Sequence, residues 1–335
     1  MNPERIPVYV GVDGGGTKTR AVVASGKGKV LLDLTDEGAN VNRFGWKQAT
    51  TVLSRIFEHI RGSLGDAVEF RGVFLGLSGM GREADRSRMA TWLECAWPGV
   101  PTRVDHDALV ALAAARGGEA TGIVLIAGTG SIAFAYDEAG RAYRAGGWGY
   151  LLGDEGSGFA LGRRALVRVV QSYDGRGAPT VLTDRVLEHF ELDGIEALVR
   201  FVYRTPDILQ RIPEVAPLVL TLAREGDAVA QAIVAEAVQA LIDLVDAVQK
   251  QAFFSLERVS VVLAGGLMYL DSPLRMQVQA ALADRYEVYP DVVPPVVGAV
   301  LLARRLAGDE DGNEAGSAFL DTLRHDIAVE SPGYK

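Results

Sequence analysis

The stretch VYVGVDGGGTKTRAVVAS, residues 8–25, decides the fold of the first part of the chain. An apolar run carrying one acid, Asp13, leads into three consecutive glycines, Gly14–Gly16, and the run TKT then leads into a second β-branched segment. This order predicts a strand, a tight turn and a second strand. Consecutive glycines let backbone N–H groups converge on an anion, and an Asp just before such a turn can hold Mg²⁺, usually through water. The stretch therefore predicts a phosphate clamp with a metal anchor, and an ordinary Gly-rich hairpin is the alternative.

Two commoner phosphate-binding motifs do not match this stretch. The P-loop ends in Gly-Lys-Ser/Thr and leads into a helix, whereas the order here is Gly16-Thr17-Lys18 and a strand pattern follows. The dinucleotide-binding fingerprint also requires a helix directly after its glycines. Both of those motifs are therefore excluded for the first glycine turn.

Composition limits the class of protein. The chain has 335 residues, enough for two domains, and is 48% hydrophobic and 23% charged, so a large core is expected. A net charge of −9 without a basic run argues against nucleic acid as a partner. The N-terminal residues lack a signal-peptide pattern, and no apolar run reaches the roughly 20 residues that span a bilayer, so we expect a cytoplasmic location and no membrane partner. A single cysteine, Cys95, excludes an intrachain disulfide and a Cys-rich metal site.

The periodicity of apolar residues predicts an α/β layered domain that occurs twice. The first copy has strands interrupted by helices, and the pattern restarts with the strand GIVLIA, the turn GTGS and an antiparallel strand pattern. Helices dominate from about residue 160 onward, before a strand that ends in AGG and a closing helix. The predicted strands are 7–13, 19–25, 29–34, 69–77, 102–104, 122–127, 132–137, 258–263 and 285–289, and AGRAY after 132–137 predicts a further turn and strand. The predicted helices are 46–62, 82–96, 105–118, 161–172, 180–190, 193–203, 228–253, 272–284 and 294–307.

Three glycine segments suggest one nucleotide cleft. The turns at residues 13–19 and 128–131 would lie at matching ends of two duplicated sheets, where two backbone clamps could grip a polyphosphate. Gly265 and Gly266 follow a buried strand, where a flat ligand could approach without side-chain obstruction. Each segment is a weak signal alone, and the ordered set of three is a strong one.

Asp107 is the candidate catalytic base. It follows a strand and opens a helix, where a carboxylate is stabilised by the helix dipole. Phosphoryl transfer to a hydroxyl needs a positioned base and charge neutralisation. Helix capping is the alternative role for Asp105 and Asp107, and His106 between them is expected to be structural.

The segment GGWGYLLGDEGSGFALG, residues 146–162, predicts a shaped loop that suits a sugar. Its acids, Asp154 and Glu155, could accept hydrogen bonds from hydroxyl groups, and Trp148 could pack on the sugar face. A turn with solvated acids is the alternative. Asn40 and Asn42 could add polar donors, or they could simply form Asx turns.

The chain resembles a known family over about residues 6–308. The motifs VGVDGGGTKT, GLSGMG, DHDALVAL, IAGTGSIA, GGWGYLLGDEGSG, LAGG and PPVVGAVLLA occur in the order typical of the N-acetylglucosamine kinase branch of the BadF/BadG/BcrA/BcrD ATPase family. That family is part of the superfamily of actin, heat-shock chaperone ATPases and sugar kinases. The resemblance implies two duplicated actin-like, ribonuclease H-like α/β domains with a nucleotide and sugar cleft between them. It implies domains at 1–117 plus about 295–308 and at 118–294. The remaining residues, 309–335, follow the run GDEDGNEAG, which is typical of a mobile tail, and AFLDTLRHDI could form a short helix there.

The resemblance also implies ATP and Mg²⁺ as cofactors, an amino sugar as substrate and a homodimer. Asp107 resembles the base that takes the proton from the sugar 6-hydroxyl, and Asp13 is expected near Mg²⁺. The nucleotide-binding positions implied are Gly14, Gly15, Gly16, Thr17, Lys18, Gly128, Thr129, Gly130, Gly265 and Gly266. The sugar-binding positions implied are Asn40, Asp107, Gly146, Gly147, Trp148 and Asp154. The family more often has Asn where this chain has His106, which affects the expected local sugar contacts and not the base.

Three functions compete at this stage. The first is ATP-dependent phosphorylation of an amino sugar at its 6-hydroxyl, with N-acetylglucosamine favoured and glucosamine next. The second is an ATPase that activates a partner reductase, which the single cysteine disfavours. The third is a non-catalytic sugar sensor or an actin-like assembly protein. The residues do not choose among N-acetylglucosamine, glucosamine, N-acetylmannosamine, N-acetylmuramic acid and glucose.

Overall fold

The computed structural model describes residues 5–252, 254, 258–290, 293–309 and 313–327. The chain divides into two compact units. The first unit comprises residues 1–120 and 291–335, and the second comprises residues 121–290.

The sheet of the first unit has five strands in the order β3-β2-β1-β4-β5. The first three strands pair antiparallel, while β4 and β5 continue the sheet in parallel with β1. Parallel pairing requires crossover connections, and helices supply them here. The strands are β1 (Ile6–Gly14), β2 (Lys18–Ser25), β3 (Val30–Glu37), β4 (Val68–Leu77) and β5 (Thr102–His106).

Helices cover this sheet because each presents an apolar stripe to it. The helix α1 buries Val52, Leu53, Ile56, Phe57 and Ile60, which recur at helical spacing. The helices are α1 (Val41–Leu64), α2 (Glu83–Ala96) and α3 (Asp107–Ala115). The start of α1 lies five residues before the predicted one, because Asn40 caps a first turn that Gly45, at φ +79°, separates from the rest of the helix.

The second unit repeats the same topology. Its strand order is β10-β9-β6-β7-β8, with β6, β7 and β8 antiparallel and with β9 and β10 parallel to β6. In both units the first two strands form a hairpin whose turn is rich in glycine, and the strand order is the same. The predicted duplication is therefore confirmed. The strands are β6 (Gly122–Ala127), β7 (Ser131–Tyr136), β8 (Ala142–Gly146), β9 (Val259–Ala264) and β10 (Tyr286–Pro290).

The helices of the second unit form its larger apolar core against the sheet. They are α4 (Gly158–Tyr173), α5 (Leu182–His189), α6 (Ile195–Arg204), α7 (Ile208–Arg211), α8 (Ala216–Glu225), α9 (Ala228–Gln251) and α10 (Pro273–Leu282). The sequence patterns predicted neither α7 nor α8. Pro213 and Pro217 lie in the first turns of a 3₁₀ helix and of α8, where proline starts a helix instead of breaking it.

One helix of the second unit also has the dimensions of a membrane span. Among the described residues, only Ala228–Gln251 is long and apolar enough to cross a membrane, with a mean hydropathy of 1.7. Residues from Ala230 to Val248 on one side of the helix are buried in the core of the unit, and buried core helices of this length commonly have such a composition.

The closing helix α11 (Pro295–Leu306) is part of the first unit, as the resemblance implied. It is buried along its length from Val296 to Arg304 and contacts α3, β1 and β4. Glycines allow this close contact. A Cβ atom on Gly11 of β1 would lie 2.4 Å from the backbone nitrogen of Val300, and one on Gly298 would lie 1.9 Å from the carbonyl oxygen of Val110.

The described part of the C-terminal segment holds the helix that AFLDTLRHDI suggested and not a mobile tail. Residues Asn313–Asp326 form helix α12, in which Phe319 and Leu323 are buried, as is Ile327 directly after it. The Phe319 ring packs edge-on against Tyr9 at a centroid distance of 6.0 Å. The acidic and glycine-rich start of this segment obscured an apolar stripe at spacing i, i+4, i+8. Residues 328–335 lie outside the described residues.

Candidate active site

The first glycine turn joins β1 to β2 and is held tightly by the end of β4. The amide of Gly15 donates to the carbonyl of Lys18 at 2.9 Å, which closes the turn, and Ser78 donates its amide to the carbonyl of Gly14 at 2.8 Å. A Cβ atom on Gly14 would lie 2.4 Å from Leu77 Cδ2. Gly14, Gly15 and Gly16 all lack positive φ angles, so their backbone conformations suit other residues too, and the side chain of Leu77 is what limits the space for a Cβ atom at Gly14.

The segment between β3 and α1 packs on the same turn. A Cβ atom on Gly38 would lie 3.0 Å from the carbonyl oxygen of Gly15. Arg43 donates from Nη1 to the carbonyl of Gly16 at 2.8 Å. Asn40 caps α1 through its Oδ1, which accepts from the amides of Asn42 and Arg43 at 2.9 and 3.2 Å. The turn chemistry considered for Asn40 is therefore observed. It uses the side-chain oxygen, so the side-chain NH₂ group of Asn40 can still donate to a ligand.

The turn after β4 connects this segment to Asp107. A Cβ atom on Gly79 would lie 3.0 Å from Asn40 Oδ1, and Asn42 donates to the carbonyl of Gly79 at 3.4 Å. The preceding residue, Ser78, donates its hydroxyl to Asp107 Oδ2. The first glycine turn, Asn40 and Asp107 thus lie on one continuous set of contacts within the first unit. The motif GLSGMG pointed to this turn, but the contact of Ser78 with Asp107 was not predicted.

Asp107 is the first residue of α3 and is held on two sides. Its Oδ1 lies 2.6 Å from His106 Nδ1, while its Oδ2 accepts from Ser78. Burial raises the pKa of Asp107, but the charge and hydrogen bond of His106, the Ser78 hydroxyl and the Ala108 amide together hold it below its usual range. Asp107 is therefore ionised at neutral pH and can accept a proton.

The start of α3 is capped by the residues around Ala108. The Nδ1 of His106 lies 3.2 Å from the amide nitrogen of Ala108, from which it accepts when unprotonated, and 2.6 Å from Asp107 Oδ1, to which it donates when protonated. Asp105 is buried and accepts from Arg103 at 2.9 Å and from the amide of His106 at 2.9 Å. The structural role expected for His106 is observed. Asp105 also has a structural role, because its carboxylate holds the backbone of His106 and the side chain of Arg103.

The second glycine turn joins β6 to β7 in the second unit. The amide of Gly128 donates to the carbonyl of Gly130 at 2.9 Å. The first two amides of α4 donate to carbonyl oxygens of the turn. The amide of Gly158 donates to the carbonyl of Gly128 at 2.7 Å, and that of Phe159 donates to the carbonyl of Thr129 at 3.3 Å. These bonds fix the turn against a helix N-terminus, where an anion is favoured.

Asp154 lies against this second turn. Its backbone has φ +62°, and its carboxylate lies beside Gly130, where an added Cβ atom would be 3.0 Å from Oδ2, closer than an ordinary contact. Oδ1 accepts from the amide of Ser131 at 3.4 Å. Burial, together with the charge of the neighbouring Glu155, raises the pKa of Asp154. Asp154 is therefore half-buried against the turn, whereas Glu155 is exposed, as the alternative of a turn with solvated acids expects.

Gly265 and Gly266 adjoin the second turn. Gly265 has φ +98°, and a Cβ atom on it would lie 2.4 Å from the carbonyl oxygen of Ala127, the residue before the turn. That same carbonyl accepts from the amide of Leu267 at 3.0 Å. The second unit therefore brings together two of the three glycine segments that the sequence singled out.

The start of the glycine loop also contacts β7. Gly146 and Gly147 have φ +74° and +67°, and the amide of Gly147 donates to the carbonyl of Ser131 at 3.0 Å. The Trp148 side chain is 62% exposed, and the guanidinium of Arg144 lies 4.2 Å from its ring centroid. An exposed ring held by a cation is suited to packing on a ligand.

The described residues contain no group of three or more His, Cys, Asp or Glu side chains placed to hold a metal ion. Asp13, half-buried one residue before the end of β1, is the acid at the first turn. Mg²⁺ in phosphoryl-transfer sites is bound by one or two carboxylates plus substrate phosphates, so a single carboxylate fits that mode of binding.

Known proteins resemble this chain along most of its length. Residues 10–303 match the model of the BadF/BadG/BcrA/BcrD ATPase family. An N-acetyl-D-glucosamine kinase of Dictyostelium discoideum is 31% identical over 310 residues, which cover 88% of this chain and 97% of that protein. An N-acetylmuramic acid/N-acetylglucosamine kinase of Clostridium acetobutylicum is 32% identical over 262 residues, covering 77% of this chain and 85% of that protein.

A solved structure shares the two-domain α/β fold. It is from Chromobacterium violaceum and is described as a provisionally assigned N-acetylglucosamine kinase, with a TM-score of 0.67 and 29% identity over 89% of this chain and 99% of that one. The family match and the relatives each cover most of the chain, and this structure shares its fold. The chain belongs to the BadF/BadG/BcrA/BcrD ATPase family.

Proposed function

We propose that this protein is an ATP-dependent kinase that phosphorylates an amino sugar at its 6-hydroxyl, with Asp107 as the general base. The observation that carries the proposal is the environment of Asp107. Its carboxylate is kept ionised between Ser78 and His106, and Ser78 connects it to the first glycine turn by donating its amide to the carbonyl of Gly14. A base next to a phosphate-binding turn is the arrangement that phosphoryl transfer to a hydroxyl requires.

The amino sugar is supported by the relatives and by the glycine loop. The two curated relatives described above are named for N-acetylglucosamine, and one of them also for N-acetylmuramic acid. A further relative, the glucosamine kinase of Vibrio cholerae, is 30% identical over 191 residues. Trp148 offers an exposed ring, and Asn40 and Asp154 offer polar groups to a sugar.

The reaction follows from these groups. Asp107 accepts the proton of the sugar 6-hydroxyl, and the oxygen forms a bond to the γ-phosphorus of ATP. The bond between that phosphorus and the β,γ-bridging oxygen breaks, and ADP leaves with the electron pair. The turn amides at Gly16 and Thr17 and those at Thr129 and Gly130 are the groups that would bind phosphate oxygens, while the amides of Gly15 and Gly128 close their own turns. Mg²⁺ held near Asp13 would neutralise phosphate charge.

The proposal is tested by ADP release from Mg·ATP with five sugars: N-acetylglucosamine, glucosamine, N-acetylmannosamine, N-acetylmuramic acid and glucose. We expect sugar-dependent turnover that falls about 10²–10⁴-fold in Asp107→Asn, the usual contribution of a general base. Asp105→Asn is the matched control, because this neighbouring acid serves Arg103 and the backbone. Turnover that ignores every sugar would contradict the kinase proposal and would favour an ATPase with a protein partner.

The single cysteine of the chain disfavours the alternative in which the protein activates a reductase through a shared metal cluster.

We also propose a cytoplasmic homodimer. Light scattering after gel filtration would test the dimer, and a monomeric mass would contradict it.

A further inference from the structure

Arg43 is a cation at the first glycine turn. It lies in the first turn of α1, three residues after the cap residue Asn40, and its side chain is exposed. Its Nη1 donates to the carbonyl of Gly16 at 2.8 Å, and its guanidinium lies 5.1 Å from the ring centroid of Phe44. These two contacts direct the side chain onto the turn.

Arg43 differs from the other arginines near the turn in having no acidic partner among the described residues. Arg20 donates to Asp33 from Nε at 3.0 Å, and Arg55 donates to Asp36 from Nε at 2.7 Å. A guanidinium carries five N–H donors, and a single hydrogen bond to a neutral carbonyl leaves most of them available. The positive charge of Arg43 is therefore not neutralised by the protein.

The surroundings make such a charge useful. The chain carries a net charge of −9, and Asp13 and Asp107 are acids of this same unit. Bringing the terminal phosphate of a nucleotide toward these carboxylates is electrostatically unfavourable without a cation. A planar guanidinium binds phosphate oxygens in pairs, and anchoring through Gly16 reduces the side-chain freedom lost on binding.

We infer that Arg43 binds the terminal phosphate of the nucleotide triphosphate at the first glycine turn and stabilises the charge that develops on it during transfer. This inference rests on the proposed kinase function and adds a phosphate-contacting residue to it. In its absence the turn amides would bind a nucleotide, but discrimination between triphosphate and diphosphate would be weaker.

The experiment compares the affinities of the wild-type protein, Arg43→Met and Arg43→Lys for ADP and for the β,γ-imido analogue of ATP, by calorimetry with Mg²⁺. Arg55→Met is the matched control, since it removes an exposed arginine of the same helix that is paired with Asp36. Sugar-dependent kcat and KM for ATP are measured on the same four proteins, together with their melting temperatures.

We expect Arg43→Met to weaken binding of the imido analogue at least about 10-fold, while ADP affinity changes less than about 3-fold. The same variant should lower kcat at least about 30-fold, since arginines on a transferring phosphoryl group contribute as much as about 10³–10⁵-fold. Arg43→Lys should recover part of both losses. Equal losses for the two nucleotides with a lower melting temperature would show that Arg43 only supports the turn, and no change would also overturn the inference.

The two proposals fail in different ways. Wild-type protein that phosphorylates none of the five sugars contradicts the kinase function, while the affinity ratio between the two nucleotides still decides the role of Arg43. Sugar-dependent turnover that is unaffected by Arg43→Met overturns the role of Arg43 and leaves the kinase function intact. Wild-type protein that binds neither nucleotide contradicts both.

Discussion

Replacing Gly298 with alanine should destabilise the first unit, although alanine is the better helix former. Gly298 lies within α11, where it faces α3. A Cβ atom there would lie 1.9 Å from the carbonyl oxygen of Val110 and 2.6 Å from the amide nitrogen of Ala114. Ordinary contacts begin at 3.4 Å, so the two helices must separate by more than 1 Å at this point. Both neighbouring atoms are backbone atoms, and a rotamer change cannot relieve the clash.

The helix cannot move away from α3 without cost, because its other side is also in close contact. A Cβ atom on Gly11 of β1 would lie 2.4 Å from the backbone nitrogen of Val300. Overpacking of a core typically costs about 1–3 kcal/mol and occasionally more. The intrinsic helix preference for alanine offsets up to about 1 kcal/mol of this. A contact of 1.9 Å with a backbone atom lies at the severe end of that range, so we expect a net loss of about 2 kcal/mol, or roughly 4–8 °C in melting temperature for a unit of this size.

The assay is urea and thermal unfolding of Gly298→Ala beside Gly62→Ala, monitored by circular dichroism. Gly62 is an exposed residue of α1 with a negative φ, and a Cβ atom there would meet no atom within 4 Å. Its replacement should leave stability unchanged or raise it by up to about 1 kcal/mol. Equal effects at the two glycines would refute the argument that close contact between α11 and α3 requires Gly298.

Two further predictions concern the C-terminal helix and the second turn. Leu323→Ala should lower the free energy of urea unfolding by about 2–5 kcal/mol, because Leu323 is fully buried. The exposed control Asp321→Ala should change it by less than about 0.5 kcal/mol. Equal small effects would mean that α12 does not pack on the unit. Because the pKa of Asp154 is raised, its protonated form favours the folded state, so wild-type stability should fall relative to Asp154→Asn as the pH rises from about 4 through that raised pKa. A stability difference between these two proteins that stays constant over this pH range would contradict the assignment.

Much of the architecture could be predicted from local patterns. The strands that flank Gly14–Gly16 and 128–130 were predicted to within a few residues, because β-branched runs around glycine turns have few alternative structures. The start of α1 and the helices around Pro213 and Pro217 were not predicted, since a capping side chain and prolines at helix starts act through geometry that periodicity does not register.

The sequence by itself determined the order of the elements, the internal duplication and the positions of the three glycine segments, because these depend on residue types that are close along the chain. The tertiary structure alone decided which distant groups meet. It paired Ser78 with Asp107, placed Arg43 on the carbonyl of Gly16, set Asp154 against the second turn and packed Phe319 on Tyr9. Such contacts join residues up to about 300 positions apart, and they form only when burial of the apolar faces brings those segments together.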